Sequence, residues 1–390
     1  MILRKSKDAL LRVASQFPVV GITGPRQSGK TTLVQSVFPD KRYITFDDDN
    51  MRGLAKSNPK DFLDAFPDGL IIDEAQKVPE IFNALKIKID TEKSKPGKYI
   101  LTGSSQFKLK KNMADSLSGR AFFLELLPFC IDELMEEGNR IDNPYELIFK
   151  GQYPPLHDKE KQFIPEDWFE AYIDTYIARD VEEYINPSNI STFKKFIQVC
   201  AIHSGQMLSM DSIARGVGVS APTIKSWLSI LEQSYIIHLL EPDSKNLGKA
   251  LVKSPKLYFV DTGLLCYLLR INSKEELLLH QMKGAIVETF AVAEMLKNRT
   301  NIGKKGNLTY YRDLNGFEVD TIADWKHTFA IEIKSTTQAD NKATRNLKKY
   351  LELKADKQTK AAIFYLSDNT IKIDDIAYVS FKDWGKFSSE

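Results

Sequence analysis

Cysteine is scarce in this sequence, which contains only Cys130, Cys200 and Cys266. They lie about 70 residues apart, so none of the short paired spacings of a disulfide scaffold or a thiolate zinc site is present. The spacing therefore argues against both kinds of site. Three isolated thiols are typical of a protein in a reducing compartment, and we expect a cytoplasmic location.

A large net charge and a long apolar run are also missing. The 54 Lys and Arg against 52 Asp and Glu leave a net charge of +2, which excludes a uniformly basic nucleic-acid packer but allows a local basic patch. The longest apolar candidate, residues 257–269, is interrupted by Asp261. The opening MILRKSKDALL carries charges where a signal peptide needs apolar residues. We expect no leader and no membrane partner.

The 390 residues predict several domains, because they are too many for one ordinary core. Five apolar segments, VVGITG, YITFDD, GLIIDE, KYILTG and AFFLEL, alternate with helical patterns, which predicts an α/β domain whose parallel sheet is covered on both faces. The pattern then turns helical, and alternating strands return late in the chain. We place boundaries that give four segments: 1–128, 129–190, 191–245 and 246–390.

A phosphate-binding loop is indicated by GPRQSGKT, which fits G-x-x-x-x-G-K-[ST] between an apolar strand and a helix. Backbone N–H groups in such a loop point at a phosphate, aided by the helix dipole. We expect Lys30 to reach the β- and γ-phosphates of ATP and Thr31 to ligate Mg²⁺. A glycine-rich turn without a ligand is the alternative. The predicted nucleotide-binding residues here are Gly24, Pro25, Arg26, Gln27, Ser28, Gly29, Lys30, Thr31 and Thr32.

Two carboxylates, Asp73 and Glu74, end the apolar strand LIIDE. Buried acids are costly unless they are paired or bind a metal, so packing does not explain them. Asp73 is expected to hold Mg²⁺ through water, and Glu74 to polarise the water that attacks the γ-phosphate.

Two further polar residues are candidates for the same site. Thr102 ends the next strand, where it can sense the γ-phosphate, although a hydroxyl that caps the following turn is the alternative. Arg120 precedes another strand and can act as an arginine finger on a neighbouring subunit's nucleotide, which requires an oligomer. A surface salt bridge is the alternative for Arg120.

The segments GPRQSGKTTL, YITFDDD, LIIDEAQKVPE, ILTGSS, LSGRAFFLELLPF and GQYP together resemble the bacterial and archaeal AAA-family ATPases that carry a C-terminal domain of unknown function. The resemblance covers most of the chain. It implies a P-loop core of the additional-strand, catalytic-glutamate type in residues 1–128, followed by a helical lid in residues 129–190. Gln152 departs from the family pattern, since a second glycine is expected in its turn.

A winged helix is predicted for residues 191–245. MDSIARGVGVS indicates a short helix, a glycine turn and a cap, and APTIKSWLSIL a second helix whose Ile224, Leu228 and Leu231 share an apolar face. Such a helix can enter the major groove of DNA, but Lys225 is its only cation. A module used only for protein packing is the alternative. The lysines that follow suggest a wing that contacts phosphates: Lys245, Lys249, Lys253 and Lys256.

A second metal site is predicted on a hairpin formed by EVDTIAD and FAIEIKS. Residues two apart in a strand share a face, so Glu332 and Lys334 point the same way, and Asp320 on the partner strand can converge with them. Two carboxylates suit Mg²⁺, while Lys334 would orient or deprotonate water or neutralise the phosphate. Glu288, on the preceding helix, is a candidate for a further ligand. Charges that alternate on an exposed strand are the alternative.

The spacing of Asp320, Glu332 and Lys334 resembles that of the PD-(D/E)xK nuclease superfamily, which implies a restriction-endonuclease-like α/β fold for residues 246–390. A helix downstream aligns cations that suit a DNA backbone, although such a face is often only solvated: Lys342, Arg345, Lys348 and Lys349. Even with this fold, cleavage is not assured.

The sequence thus predicts a homo-oligomeric, Mg-ATP-dependent ATPase that acts on DNA through a winged helix and a nuclease-like domain. The alternative is a nucleotide-dependent regulatory switch whose C-terminal domain binds DNA or protein without cleaving it. A metabolic kinase is disfavoured, because the roughly 260 residues after the ATPase core contain no obvious small-molecule site.

Overall fold

The computed structural model describes most of the chain. The described residues are 2–93, 95–103, 109, 113, 115–136, 141–177, 181, 184–243, 252–338, 341–354 and 358–389. Within these ranges, no helix has both the length and the apolar character that crossing a membrane requires.

Five parallel strands form the N-terminal sheet. They are β1 (Val19–Thr23), β2 (Arg42–Thr45), β3 (Leu70–Asp73), β4 (Tyr99–Thr102) and β5 (Ala121–Glu125). Their order is β2-β3-β4-β1-β5, so the predicted parallel α/β sheet is confirmed and β4 is inserted between β1 and β3. Parallel strands end at the same edge, which brings the segments that follow β1, β3 and β4 together.

Helices cover both faces of this sheet. Leu70 and Ile72 belong to one apolar cluster, which also contains residues of the helix Glu80–Glu92. Ile71, between them, belongs to a second cluster on the other face. Burial on both faces explains why the strands are continuously apolar instead of alternating. The helices are α1 (Ser6–Ala14), α2 (Lys30–Val37), α3 (Asp49–Ser57), α4 (Pro59–Asp64) and α5 (Glu80–Glu92).

The segment after the sheet is helical. It contains α6 (Ile131–Glu136), α7 (Pro144–Lys150), α8 (Pro165–Tyr176) and short 3-10 helices at Pro154–His157 and Pro187–Asn189. Gly151, with φ of 79°, lies so close to the backbone of Gly263 that a Cβ on it would be 3.1 Å from Gly263 Cα. The turn that carries Gln152 therefore packs directly against a much later part of the chain.

Three helices and a three-stranded antiparallel sheet come next. They are α9 (Ile190–Ile202), β6 (Gln206–Met207), α10 (Met210–Val217), α11 (Ala221–Gln233), β7 (Ile237–Leu240) and β8 (Lys256–Phe259). β8 pairs with both β6 and β7, so this unit is completed only beyond residue 245 and the boundary placed there cuts through it.

Helix α11 has the amphipathic character that the sequence predicts. Its apolar face is buried at Ile224, Leu228 and Leu231, and the sequence interpretation left out Trp227, which is buried with them. Lys225 is exposed. Ser220 caps the helix, because its hydroxyl accepts from the backbone N–H of Thr223 at 3.3 Å.

The C-terminal part is built on a six-stranded mixed sheet. Its strands are β9 (Leu308–Arg312), β10 (Glu318–Asp324), β11 (Thr328–Lys334), β12 (Lys360–Tyr365), β13 (Ile371–Ile373) and β14 (Ile376–Ser380). The order is β13-β14-β12-β11-β10-β9, with β10 and β11 forming an antiparallel hairpin around residues 325–327. The helices are α12 (Thr262–Leu268), α13 (Lys274–Leu279), α14 (Lys283–Asn301), α15 (Asn341–Lys354) and α16 (Trp384–Ser389).

One apolar core extends from Leu127 to Trp384. It includes residues of α8, of the three-stranded sheet and of α14. The three segments that follow the N-terminal sheet thus share a core, and the boundaries near 190 and 245 do not separate independent ones.

Candidate functional site

The phosphate loop joins β1 to α2 at the carboxyl edge of the sheet. Gly24 and Gly29 have φ of 151° and 88°, and a Cβ on Gly24 would lie 2.1 Å from the carbonyl oxygen of Leu126. Glycine is therefore required at Gly24. Lys30 is 8% exposed, and its ammonium donates to the carbonyl oxygens of Gly24 at 2.9 Å and Pro25 at 2.7 Å. A positive charge is thus held inside the loop.

Asp73 is the centre of a hydrogen-bond network beside this loop. Its Oδ2 accepts from the hydroxyl of Thr31 at 3.0 Å and from that of Tyr43 at 2.7 Å. Its Oδ1 accepts from the hydroxyl of Thr102 and, at 3.1 Å, from the backbone N–H of Glu74. The structure therefore brings together Thr31, Asp73 and Thr102, which the sequence assigned to one site.

Two residues of this network were not identified from the sequence. Tyr43, on β2, binds Asp73, and burial followed by this hydrogen bond raises the pKa of its hydroxyl, which keeps it a donor. Gln76 donates from Nε2 to Oε2 of Glu74 and is 8% exposed. Glu74 itself has φ of 52°, a left-handed conformation that is uncommon for a residue other than glycine. The backbone conformation of Glu74 sets the direction of its side chain, and the hydrogen bond from Gln76 holds the carboxylate in place.

A cavity of about 450 Å³ opens in front of the loop. The phosphate loop lines it, together with Pro154, Pro155 and two residues of α8, Tyr172 and Thr175. Asp73, the predicted Mg²⁺ ligand, and Glu74, predicted to polarise the attacking water, also line this cavity. The predicted nucleotide-binding residues that line this cavity are Arg26, Gln27, Gly29, Lys30, Thr31, Thr32 and Asp73.

A second cavity, of about 700 Å³, continues past Gly29 and Thr32. It lies between the N-terminal segment, the helix α2 and the 3-10 helix Pro154–His157, and it is lined by apolar atoms of Leu3 and Phe129. His157 also lines it, and burial lowers the pKa of this imidazole to about 4, so the ring is neutral at neutral pH. Gly29, Thr32, Pro154 and Pro155 line both cavities, so the two adjoin each other beside the loop.

Arg4 supports the loop from behind and was also missed by the sequence interpretation. Its Nη1 donates to the carbonyl oxygen of Ser28 at 3.1 Å, and its Nη2 to that of Leu127 at 2.7 Å. Its Nε lies 3.0 Å from Oε1 of Glu133. Ser28, a residue of the loop, is fully buried. The guanidinium therefore connects the N-terminal segment, the loop and the end of the sheet.

Arg120 lies at the other edge of the sheet from the phosphate loop, because it precedes β5, whose first residue Ala121 pairs with Val19 at the start of β1. Its Nε and Nη2 contact the two carboxylate oxygens of Asp90 at 2.6 and 2.9 Å. The hydrogen bonds from Arg120 lower the pKa of Asp90. Within one chain, Arg120 does not reach the phosphate loop and forms a surface salt bridge.

The C-terminal hairpin brings the second set of predicted residues together. Lys334 Nζ lies 2.8 Å from Oε2 of Glu332 and 3.9 Å from Oδ2 of Asp320. Thr321 pairs with Ile331, so the antiparallel register continues to Asp320 opposite Glu332. Asp320 also accepts from the backbone N–H of Ile333 at 2.8 Å.

Glu288 reaches the same region from α14, but a lysine already contacts it. Lys256 Nζ lies 2.9 Å from Oε1 of Glu288 and also contacts Glu318. Tyr258 donates to the same Glu288 oxygen at 2.5 Å. Lys256 is 3% exposed, which corrects its assignment to a DNA-contacting wing, because a buried and paired ammonium cannot reach a phosphate.

These carboxylates are poorly hydrated and close enough to affect one another. Burial, and then the charge of Asp320, raises the pKa of Glu332 to about 8. Burial raises the pKa of Glu288 to about 7, an effect that Lys256 opposes and Asp320 increases. In the described part of the chain, no three Asp, Glu, His or Cys side chains form a group that could hold a metal ion. A divalent cation here would therefore bind Asp320 and Glu332 and take its other ligands from water or phosphate.

The predicted basic face of α15 is only partly free. Arg345, Lys348 and Lys349 are exposed on the side opposite the buried Leu347. Lys348 pairs with Asp374 at 3.0 Å. The side chain of Lys342 and both Lys245 and Lys249 lie outside the described residues, whereas Lys253 is exposed.

Family comparisons divide the chain into three parts. Residues 16–135 match the model of an AAA domain. Residues 141–275 and 283–384 match two models described as domains of unknown function, DUF8612 and DUF4143. The first match contains the phosphate loop, Asp73, Glu74, Thr102 and Arg120.

Relatives align with most of the chain. The uncharacterized protein Rv2008c of Mycobacterium tuberculosis is 29% identical over 340 residues, which cover 86% of this chain and 75% of that protein. The uncharacterized protein MJ1544 of Methanocaldococcus jannaschii is 24% identical over 402 aligned positions, covering 93% of this chain and 87% of that protein. Among solved structures, the Walker-type ATPase paby2304 of Pyrococcus abyssi has a TM-score of 0.45 at 14% identity and covers 68% of this chain and 95% of that one. That degree of structural likeness carries no functional conclusion, whereas the family match supports an AAA-type P-loop ATPase in residues 16–135.

Proposed function

We propose that the chain binds Mg-ATP in the cavity at the carboxyl edge of the N-terminal sheet and hydrolyses it. The observation that carries the proposal is the convergence of Lys30, Thr31 and Asp73 on one cavity that Glu74 also lines. Lys30 supplies the charge for the phosphates, and its present contacts with two carbonyl oxygens are ones that a phosphate can replace. Glu74, held by Gln76, is positioned to orient and deprotonate the attacking water.

Magnesium fits the donor set at this site. The hydroxyl of Thr31 and the carboxylate of Asp73 are oxygen ligands only 3.0 Å apart, and Mg²⁺ prefers oxygen ligands together with water and phosphate. A bound Mg²⁺ would neutralise charge on the phosphates. Tyr43 and Thr102 hold the Asp73 carboxylate toward the loop. In this proposal the helices of residues 129–190 act as a lid. Helix α8 lines the cavity of about 450 Å³ in front of the loop, and the 3-10 helix Pro154–His157 lines the cavity of about 700 Å³ beside it.

The Glu74→Gln substitution tests this assignment. It retains the shape of the side chain but removes the base, so ATP hydrolysis should fall by about a hundredfold or more while ATP affinity stays within about threefold. Phosphate release and equilibrium binding of a fluorescent ATP analogue measure the two effects. Glu80→Gln, on the exposed start of α5, is the matched control and should behave as the wild type. Normal hydrolysis in Glu74→Gln would remove Glu74 from the mechanism.

We further infer that Arg120 acts on the nucleotide of a neighbouring subunit in a homo-oligomer. Its position at the edge away from its own loop, with a partly exposed guanidinium, supports action in trans. Arg120→Ala should lower ATP turnover by at least about a hundredfold, because an arginine finger stabilises charge that develops in the transition state. Asp90→Ala removes the same salt bridge but retains the arginine, and should leave turnover nearly unchanged.

Mixed oligomers separate this role from a structural one. Arg120→Ala and Lys30→Ala subunits, each inactive alone, should recover activity when combined, since some sites then take an intact loop from one subunit and an intact arginine from the other. Equal losses in Arg120→Ala and Asp90→Ala, or no recovery on mixing, would exclude a finger in trans.

DNA is the proposed partner of the remaining parts. The order of α9, β6, α10, α11, β7 and β8 suits a winged helix, and the exposed Lys225 and Lys253 lie on it. In the C-terminal part, Asp320, Glu332 and Lys334 converge on one hairpin, as a nuclease-like site requires. The three free and buried cysteines are in keeping with a reducing cytoplasm.

The second candidate is a nucleotide-dependent switch whose C-terminal part binds DNA or protein without cleaving it. The contacts of Lys256 with Glu288 and of Lys334 with Glu332 favour it, because both carboxylates are already neutralised by the chain itself. Incubating the protein with plasmid or branched DNA and Mg²⁺ or Mn²⁺, with and without ATP, separates the candidates. Metal-dependent strand scission supports the nuclease, and ATP-dependent binding without scission supports the switch.

A further inference from the structure

Gln152 is fully buried, and its backbone and side chain both make hydrogen bonds to distant parts of the chain. Its N–H donates to Oδ2 of Asp261, the N-cap of α12, at 2.7 Å, and its carbonyl oxygen accepts from the N–H of Phe129 at 3.0 Å. Its side-chain Nε2 donates to Oε1 of Glu294 at 2.5 Å, and its Oε1 accepts from the ammonium of Lys297. The turn at Gln152 is thus connected to the end of the N-terminal sheet, to α12 and to α14.

Glutamine suits this position because an amide both donates and accepts. An ionised carboxylate at Glu294 only accepts and the ammonium of Lys297 only donates, so a single orientation of the amide satisfies both. The two charges are fully buried and lie 3.7 Å apart, and Oε2 of Glu294 accepts from the backbone N–H of Ile131 at 2.9 Å. A buried network in which every member has a partner holds its members in one arrangement.

The turn that Gln152 fixes continues into the lining of the nucleotide cavity. Pro154 and Pro155 line that cavity together with the phosphate loop. A Cβ added to Gly29 of the loop would lie 3.8 Å from Cγ of Pro154, which is an ordinary van der Waals separation. The two prolines therefore lie directly beside the loop, and Gln152, two positions before them, sets where they lie.

We propose that Gln152 is a positioning residue for ATP binding: through its amide contacts with α14 it holds Pro154 and Pro155 beside the phosphate loop. This inference rests on the proposed function. It adds that α14, which belongs to the segment matching DUF4143, contributes to ATP affinity without lining the nucleotide cavity. Asp73 and Glu74 are held by contacts within the N-terminal domain, so loss of the amide contacts should weaken ATP binding much more than it slows hydrolysis.

The Gln152→Leu substitution in the full-length protein tests the proposal. It retains most of the side-chain volume but removes both amide contacts, while Glu294 and Lys297 keep each other as partners. Affinity for a fluorescent ATP analogue with Mg²⁺ should fall at least about tenfold, because the turn must then be ordered on binding, whereas kcat should stay within about threefold. A purely structural role would instead lower the folded fraction, and with it the apparent kcat, without changing the affinity of the folded protein. Gln152→Met replaces Gln152→Leu if the latter does not fold.

Thr289→Val is the matched control. Thr289 lies on the same helix and is also fully buried, and its hydroxyl forms a hydrogen bond with that of Ser204 at 3.0 Å, a partner outside the turn. The substitution therefore removes a buried contact of α14 without altering the contacts of Gln152. Its ATP affinity should equal that of the wild type.

A reciprocal exchange tests whether the contact itself is responsible. Gln152→Glu alone places a second carboxylate against Glu294 and should weaken ATP binding at least as much as Gln152→Leu does. In the double variant Gln152→Glu/Glu294→Gln, the donor and the acceptor change places, and the side chain at position 152 still accepts from Lys297. Its ATP affinity should return to within about threefold of the wild-type value.

Wild-type ATP affinity in both Gln152→Leu and Gln152→Glu would overturn the inference and leave the proposed ATP hydrolysis intact. Failure of the exchange to restore the affinity that Gln152→Glu loses would overturn it too. If the wild type itself neither binds nor hydrolyses ATP, the proposed function fails and the positioning role fails with it, so the wild-type assay distinguishes the two failures.

Discussion

Replacing Lys30 with alanine is expected to lower ATP turnover by at least about a thousandfold and to leave the protein folded. Lys30 is the cation at the centre of the loop, and removing a charged donor that acts on transferring phosphates costs several orders of magnitude. In the structure its ammonium donates to the carbonyl oxygens of Gly24 and Pro25, which belong to the loop itself.

The measurement is phosphate release under saturating Mg-ATP, together with the unfolding temperature. Lys41→Ala is the matched control, since Lys41 also lies in the N-terminal domain and donates to a carbonyl oxygen, that of Lys98 at 3.4 Å. The control should hydrolyse ATP normally. A Lys30→Ala protein that also hydrolyses ATP normally would show that this loop is not the nucleotide site.

If the C-terminal part cleaves DNA, Asp320→Asn and Glu332→Gln should each reduce metal-dependent cleavage to background, a loss of at least about a thousandfold. Each substitution retains the shape of the side chain but removes one of two carboxylates that the cation would use. Lys334→Met should reduce cleavage too, while leaving metal affinity less affected. Supercoiled plasmid with Mg²⁺ or Mn²⁺ is the substrate for this measurement.

Asp374→Asn is the matched control, because Asp374 is an acid of the same domain that pairs with the exposed Lys348. It should cleave as the wild type does. ATP hydrolysis should be normal in all these variants in the absence of DNA. Equal cleavage by the wild type, Asp320→Asn and Glu332→Gln would exclude this site as the source of any nuclease activity.

The N-terminal ATPase core was predictable because its signals are local. The phosphate loop is a contiguous motif, and buried parallel strands are continuously apolar, so the five strands and the positions of Thr31 and Asp73 followed from short segments. The sheet order and the inserted β4 came only from the family resemblance. Spacing along the chain does not determine which strands are neighbours.

Residues that act through distant contacts were missed. Arg4 reaches Leu127 across 123 positions, and Tyr43 reaches Asp73 across 30. Lys256 was misassigned because it stands among other lysines in the sequence, whereas the fold buries its ammonium against Glu288, 32 positions away. A lysine on an exposed wing and a lysine in a buried ion pair look alike until the neighbouring strand is known.

The boundary near 245 failed for the same reason. A strand that is four residues long gives little sequence signal, and β8 is identified as part of the smaller sheet only by its pairing with β6 and β7. The role of Gln152 also depends on a contact far away in the sequence. It replaces an expected glycine, but its side chain is buried and contacts Glu294 at 2.5 Å, a partner that no local pattern could indicate.

Single-turnover hydrolysis of γ-labelled ATP by the full-length protein and by Glu74→Gln tests the central claim most directly. The wild type should bind ATP with Mg²⁺ and release the labelled phosphate. Glu74→Gln should retain intact ATP on the protein over the same period. Failure of the wild type to bind ATP at millimolar concentrations, or release of phosphate at equal rates by both proteins, would contradict the account.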